Sequence, residues 1–164
     1  MEKLEMIGLW QWLYDLSLST TLRNSIWAFP IIECVHIYSM ISLIGLFAAF
    51  DMRLMGFAMG GKQRRPISEL AKVVLRWIWI PVVVNAVTGT LMFAPNALSY
   101  SSNWAFRSKM LLVFLGLIYH VPLLFKAVRW NDSYEMPMGM KLMSIFSILV
   151  WAGVIVASRW IAYV

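Results

Sequence analysis

Charge is scarce in this sequence. Asp, Glu, Lys and Arg make up 13% of its 164 residues, where a soluble domain carries about 25%. A chain this poor in charge lacks the polar side chains to cover a water-facing surface. Cysteine is nearly absent. Cys34 is the only one, so no intrachain disulfide can form and no Cys-pair metal motif exists. There is no phosphate-binding glycine loop, no zinc-protease motif and no nucleophile elbow. Hydrolysis and phosphoryl transfer therefore have no support. A cleavable signal peptide is not expected either. The first 25 residues carry Glu2, Glu5 and Asp15 and lack a clean apolar core.

What is abundant is apolar length. Hydrophobic residues make up 61% of the chain and the mean hydropathy is +0.72. Four runs stand out, at about 26–50, 73–94, 108–128 and 142–163. Each has roughly the 20 residues that a helix needs to cross the hydrocarbon core. Before them, over about 7–22, Ile7, Trp10, Leu13 and Tyr14 recur at helical spacing among Gln11, Asp15 and Ser17. That pattern fits a short amphipathic helix lying in the interface, or an ordered lead-in to the first span. The expected fold is all-α, a single transmembrane domain over 1–164. It is an integral membrane four-helix up-down-up-down bundle with a short N-terminal interfacial helix. Pro30, Pro81 and Pro122 should bend or loosen their helices. Gly60–Pro66 is the expected mobile loop.

The basic residues give an orientation. Arg53, Lys62, Arg64, Arg65, Lys72 and Arg76 flank the first connection, and Lys126, Arg129 and Lys141 the third, nine in all. Lys3, Arg23, Arg107, Lys109 and Arg159 lie on the other side, five in all. Positive residues mark the cytoplasmic face. Both termini are then expected in the periplasm, with the chain in a bacterial inner (cytoplasmic) membrane. The net charge of +6 serves orientation and lipid headgroups and does not call for nucleic acid. The partner that composition demands is the lipid bilayer.

Chemistry has few candidates. His36 and His120 are the only histidines, each about ten residues, or roughly 15 Å, into its apolar run. If the first and third spans enter from the same side, both imidazoles sit at one depth, diagonally across the core. They would then clamp a metal centre, with haem iron the leading choice. The alternative is that each histidine bonds a neighbouring helix. Gly116, one turn before His120, and Ser39, one turn after His36, leave room for a macrocycle edge. Lys109 lies eleven residues before His120, on the same face. It would hold a haem propionate or snorkel to headgroups. Arg53 and Arg76 carry the same two readings. Glu33, three residues before His36, is a proton-relay candidate, a partner for an Arg or Asn85, or simply solvated. Met52, Met55 and Met59, and Met136, Met138, Met140 and Met143, resemble soft Cu(I) sites. They also suit ordinary apolar filling.

The run from Trp104 through Lys109 to Tyr119-His120 resembles the third-helix pattern of HemJ-type protoporphyrinogen oxidases. His36 to Gly45-Leu46-Phe47, followed by Arg53, resembles their first helix, and Arg76, Pro81 and Thr88-Gly89 their second. The form Asp51 to Gly56, with Asn96 to Lys109, more closely resembles uncharacterised bacterial four-helix proteins of the same broad superfamily, which CopD-type copper proteins also resemble. The resemblance implies a four-helix fold and b-type haem near His36. The expectation is therefore a haem b protein with His36 and His120 on the iron, and with Lys109, Arg53 and Gly116 around it. It would transfer electrons with quinone, with a redox partner subunit or within a homo-oligomer. The alternatives are porphyrinogen oxidation and copper handling.

Overall fold

The computed structural model describes residues 2–57, 66–130 and 138–164, with backbone alone for residues 2–7. The expected loop at 60–66 therefore falls mostly outside the described residues, as do Met59 and Met136. The described chain is helical throughout, without strands. Two short helices come first, α1 (Glu2–Asp15) and α2 (Ser17–Asn24), separated at Leu16. The single N-terminal helix expected over 7–22 is thus broken in two. Arg23 lies 3.8 Å over the Tyr14 ring and donates to Tyr14 O at 2.6 Å, fixing the bend.

Four helices long and apolar enough to cross a membrane follow. The first is α3 (Ala28–Leu54). The second is compound: α4 (Ile67–Trp77), α5 (Trp79–Phe93), a 3-10 turn at Ala94–Asn96 and α6 (Ala97–Ser102). The third is α7 (Trp104–Val128). The fourth is α8 (Met138–Trp160), closed by a 3-10 turn at Ile161–Tyr163. Four such helices make a multi-pass membrane protein. Large apolar side chains such as Ile41, Phe114, Phe146 and Leu149 are each about 60% exposed. In water such a surface would be untenable, whereas lipid tails accept it.

The local chemistry explains the breaks. Pro81 has no N–H to return to Trp77 O, so the second span loosens at Ile78, between α4 and α5. Pro30 falls in the first turn of α3, where no intrahelical donor is missed. Pro122 lies inside α7, which continues through it. At the end of α3, Gly56 takes a φ of +94°, with Phe57 N bonded to Met52 O and Gly56 N to Arg53 O. This is a Schellman stop, and it needs the freedom of glycine. Asn103 caps α7 by accepting from Phe106 N, while its amide donates to Ile161 O, tying the start of α7 to the end of α8.

The core is not spread evenly along the bundle. On α3 the buried apolar residues are Leu43, Phe47, Phe50 and Leu54, and on the second span they are Ile67, Ala71 and Val74 of α4 and Ile78 just after it. Both sets recur every three or four residues, one stripe per helix. They meet Leu123, Leu124 and Ala127 of α7 and Trp151 and Val154 of α8. All four spans thus close tightly around the half of the bundle that holds the C-terminal part of α3. The other half, around the first three turns of α3, is looser. There Ile31, Val35, Ile37 and Tyr38 are all exposed.

Candidate functional site

The two histidines lie in different halves, and their surroundings share almost nothing. His36, half-buried on α3, places Nδ1 2.8 Å from Thr88 Oγ1 on α5. The Thr88 hydroxyl spends its single proton on Val84 O at 2.6 Å. Its oxygen can then only accept from the imidazole. Nδ1 must carry the ring proton, which leaves Nε2 with a lone pair. Nε2 makes no hydrogen bond among the described residues. Gly89, one residue after Thr88, is bare where a Cβ would stand 3.4 Å from His36 Cε1, so the ring can lie against the α5 backbone. One turn along α3, Ser39 donates to Pro81 O at 2.9 Å and accepts from Asn85 Nδ2 at 2.8 Å. The carbonyl of the helix-loosening proline is thereby used to hold α3 on α5. Lys109 of α7 lies within electrostatic reach of His36. Glu33 is exposed and lies within reach of Tyr100. The expected alternative of a Glu33–Asn85 bond does not form, because the Asn85 amide nitrogen serves Ser39 and Pro81 O.

His120 is wholly buried. Its Nε2 lies 3.1 Å from Asp51 Oδ2 on α3 and 3.0 Å from Ser147 Oγ on α8. Ser147 itself donates to Asp51 Oδ2 at 2.5 Å. On the other side of the ring, the indole N–H of Trp151 donates to Nδ1 at 3.3 Å, and Gly116 O lies 3.2 Å from the same nitrogen. An indole N–H can only donate, so Nδ1 is bare and Nε2 carries the proton. Phe47 stacks over the imidazole at 3.9 Å between centroids. Asp51 is fully buried too, and its Oδ1 has no partner among the described residues.

The expectation that both histidines share a depth is overturned. Asp51 follows His36 by fifteen residues on one helix, about 22 Å at 1.5 Å per residue. His120 touches Asp51, so it belongs to that far level. Depth counted from the start of each apolar run hides this offset, because the runs begin at different points of their helices. His36 is eight residues past the first residue of α3, and His120 is sixteen past the first residue of α7. The five expected cofactor residues therefore divide. Lys109 goes with His36. Gly116 goes with His120, and its missing Cβ admits the Trp151 indole, which would lie 2.8 Å from it. That space is filled by protein and leaves no macrocycle edge. Arg53 lies seventeen residues beyond His36, about 25 Å along α3. Of the described methionines, Met140 packs on the core while Met138 and Met143 are exposed.

With respect to haem, the two sites give opposite answers. His120 does not fit as an axial ligand. Both its nitrogens are engaged, its face is covered by Phe47, and it has no exposed surface. His36 does fit. Its tautomer presents an unprotonated Nε2, and a hydrogen bond at Nδ1 orients the ring, as metal-bound histidines require.

Sequence comparison gives the lineage. The model of a family of unknown function, DUF6644, matches residues 22–164. The chain belongs to that family. The DUF6644 match takes in α3 to α8 and both histidine sites, and leaves out α1. No curated protein and no solved structure matches the chain.

Proposed function

We propose that this chain binds haem b through His36 and carries electrons within a bacterial inner membrane. The observation behind this reading is the His36 tautomer. Thr88 accepts a hydrogen bond from Nδ1–H and leaves the Nε2 lone pair to a metal. Lys109, on the neighbouring helix and within electrostatic reach of His36, is placed to hold an acidic cofactor edge. The haem would supply a one-electron couple, and quinone or a redox partner subunit the exchange partner. In this reading the four spans run up-down-up-down, with both termini in the periplasm and α1 and α2 lying in the outer interface. The His36 level is then the periplasmic half.

One observation favours the enzyme alternative. With His120 withdrawn into its own network, His36 would be the one histidine among the described residues to hold the haem. A haem held by that residue alone would leave room for a reactant, which suits a HemJ-like oxidation of a porphyrinogen better than pure electron carriage.

The test is an optical spectrum of the full chain, purified from haem-replete cells. The reduced protein should show a b-type spectrum and bind carbon monoxide at the open position. A colourless protein that takes up no added haemin would overturn the haem reading. A b-type spectrum unaffected by carbon monoxide would overturn the single-ligand form of it.

A further inference from the structure

We propose that the end of α7 holds the headgroup of an anionic phospholipid, with Lys126 and Arg129 on its phosphate and one acyl chain lying along the helix. The proposal needs no cofactor and is independent of the His36 reading.

The site is a cavity of about 540 Å³ lined by Phe125, Lys126, Arg129 and Trp130. Helical register brings these four together. Lys126, Arg129 and Trp130 stand at i, i+3 and i+4, and Phe125 lies one turn before Arg129, so all share one flank of the helix end. Both cations are exposed, and neither has an ion pair or a side-chain hydrogen bond among the described residues. Trp130 is half-buried and packs on the core, which fixes one wall. An indole in that position is at home at headgroup level.

The surrounding charge favours an anion. Leu54, Ile67 and Ala127 meet in one core, and Met140 packs against it. The end of α3, the start of α4, the end of α7 and the start of α8 therefore lie at the same end of the bundle. The charged residues these elements bring are Arg53, Glu69, Lys72 and Lys141. Asp51 is buried and bonded to His120 and Ser147. Glu69 is thus the one exposed carboxylate among the described residues at this end, and it pairs with neither Lys126 nor Arg129. Cations dominate, and clustered cations at a span's end attract anionic headgroups.

The apolar register decides between a lipid and a free phosphate. Leu115, Ile118, Pro122, Phe125 and Arg129 recur every three or four residues, and all are exposed. They form one outward stripe that leads into the cavity. Leu115 to Phe125 spans about 15 Å at 1.5 Å per residue, half of the roughly 30 Å hydrocarbon core. That is the depth of one leaflet. An acyl chain laid along the stripe puts its phosphate beside Lys126 and Arg129, whereas inorganic phosphate would make no use of the stripe.

The experiment is native mass spectrometry of the full chain, released from detergent after incubation with dioleoyl phosphatidylglycerol, with the chain-matched phosphatidylcholine, or with inorganic phosphate. Phosphatidylglycerol should stay bound as a one-to-one adduct, and the other two should be lost. Lys126→Gln and Arg129→Gln should each weaken retention about fivefold, and the two together about twenty-five-fold. Lys72→Gln removes an exposed cation at the same end but outside the cavity, and should leave retention unchanged. Should the double variant misfold, the two single variants carry the same test. Equal retention of phosphatidylcholine would overturn the proposal, as would inorganic phosphate bound as tightly as the lipid. So would a loss from Lys72→Gln as large as that from Arg129→Gln, which would mean a diffuse cationic surface. A dimer seated on this stripe that excludes lipid would overturn it as well.

Discussion

His36 and His120 are the same residue, each in the apolar interior of a long helix, yet they adopt opposite tautomers. At His36 a threonine that can only accept keeps the ring proton on Nδ1 and leaves Nε2 bare. At His120 an indole that can only donate claims Nδ1, and the proton sits on Nε2 facing Asp51. Packing follows the same division. The His120 half is closed by side chains from all four spans, whereas the His36 half exposes apolar side chains on α3. The lesson is that a histidine's availability is decided by the hydrogen-bonding capacity of its neighbours. Its depth in an apolar run does not decide it.

The contrast predicts unequal costs of substitution. Asp51→Ala should cost the most, about 3 kcal/mol, because it leaves Ser147 and His120 without their shared acceptor in a dry core. Thermal unfolding in a fixed detergent measures it, and a loss below about 1 kcal/mol would mean that the network contributes little. Gly116→Ala acts on the same half by crowding. A Cβ placed 2.8 Å from the Trp151 ring forces a shift worth about 2 kcal/mol. Thr88→Val touches the other half. It should lower stability by only about 1 kcal/mol but weaken haem retention about tenfold, since the ring loses the bond that sets its tautomer. Haem titration into the folded variant reads this directly. Cys34→Ser should do almost nothing, within about 0.5 kcal/mol, because Cys34 is exposed on α3.

Much of the fold was legible because membrane helices declare themselves by apolar length. The four runs correspond to the four long helices, though each helix extends past its run. α3 reaches Leu54 and α7 begins at Trp104. Those few residues decided what could be seen of the sites. A first span that ends at Phe50 leaves Asp51 outside the apolar interior, whereas α3 carries it into the core. Starting the third span at Ser108 raised His120 to the level of His36. The partnership of Asp51 with His120 joins residues 69 apart, and that with Ser147 joins residues 96 apart. Such contacts follow from helix register, which composition does not contain. A signal was nonetheless present. An acid five residues before a glycine stop, on a helix otherwise free of charge at that end but for Arg53, needs a buried partner, and histidine is the natural one. The His36 site was legible in its members, Lys109 and Thr88-Gly89, but not in its tautomer, which depends on where the Thr88 proton goes.

The central claim is that His36 alone among the histidines of this chain is available to a metal. Haem content and visible spectra of His36→Ala and His120→Gln, compared with the parent protein, test it most directly. Glutamine keeps an amide N–H near the position of Nε2 and so preserves the contact with Asp51 better than alanine would. The account predicts that His36→Ala loses its haem while remaining folded, and that His120→Gln retains haem with the parent spectrum. Haem lost equally from both variants, with both still folded, would contradict it and restore His120 to the iron.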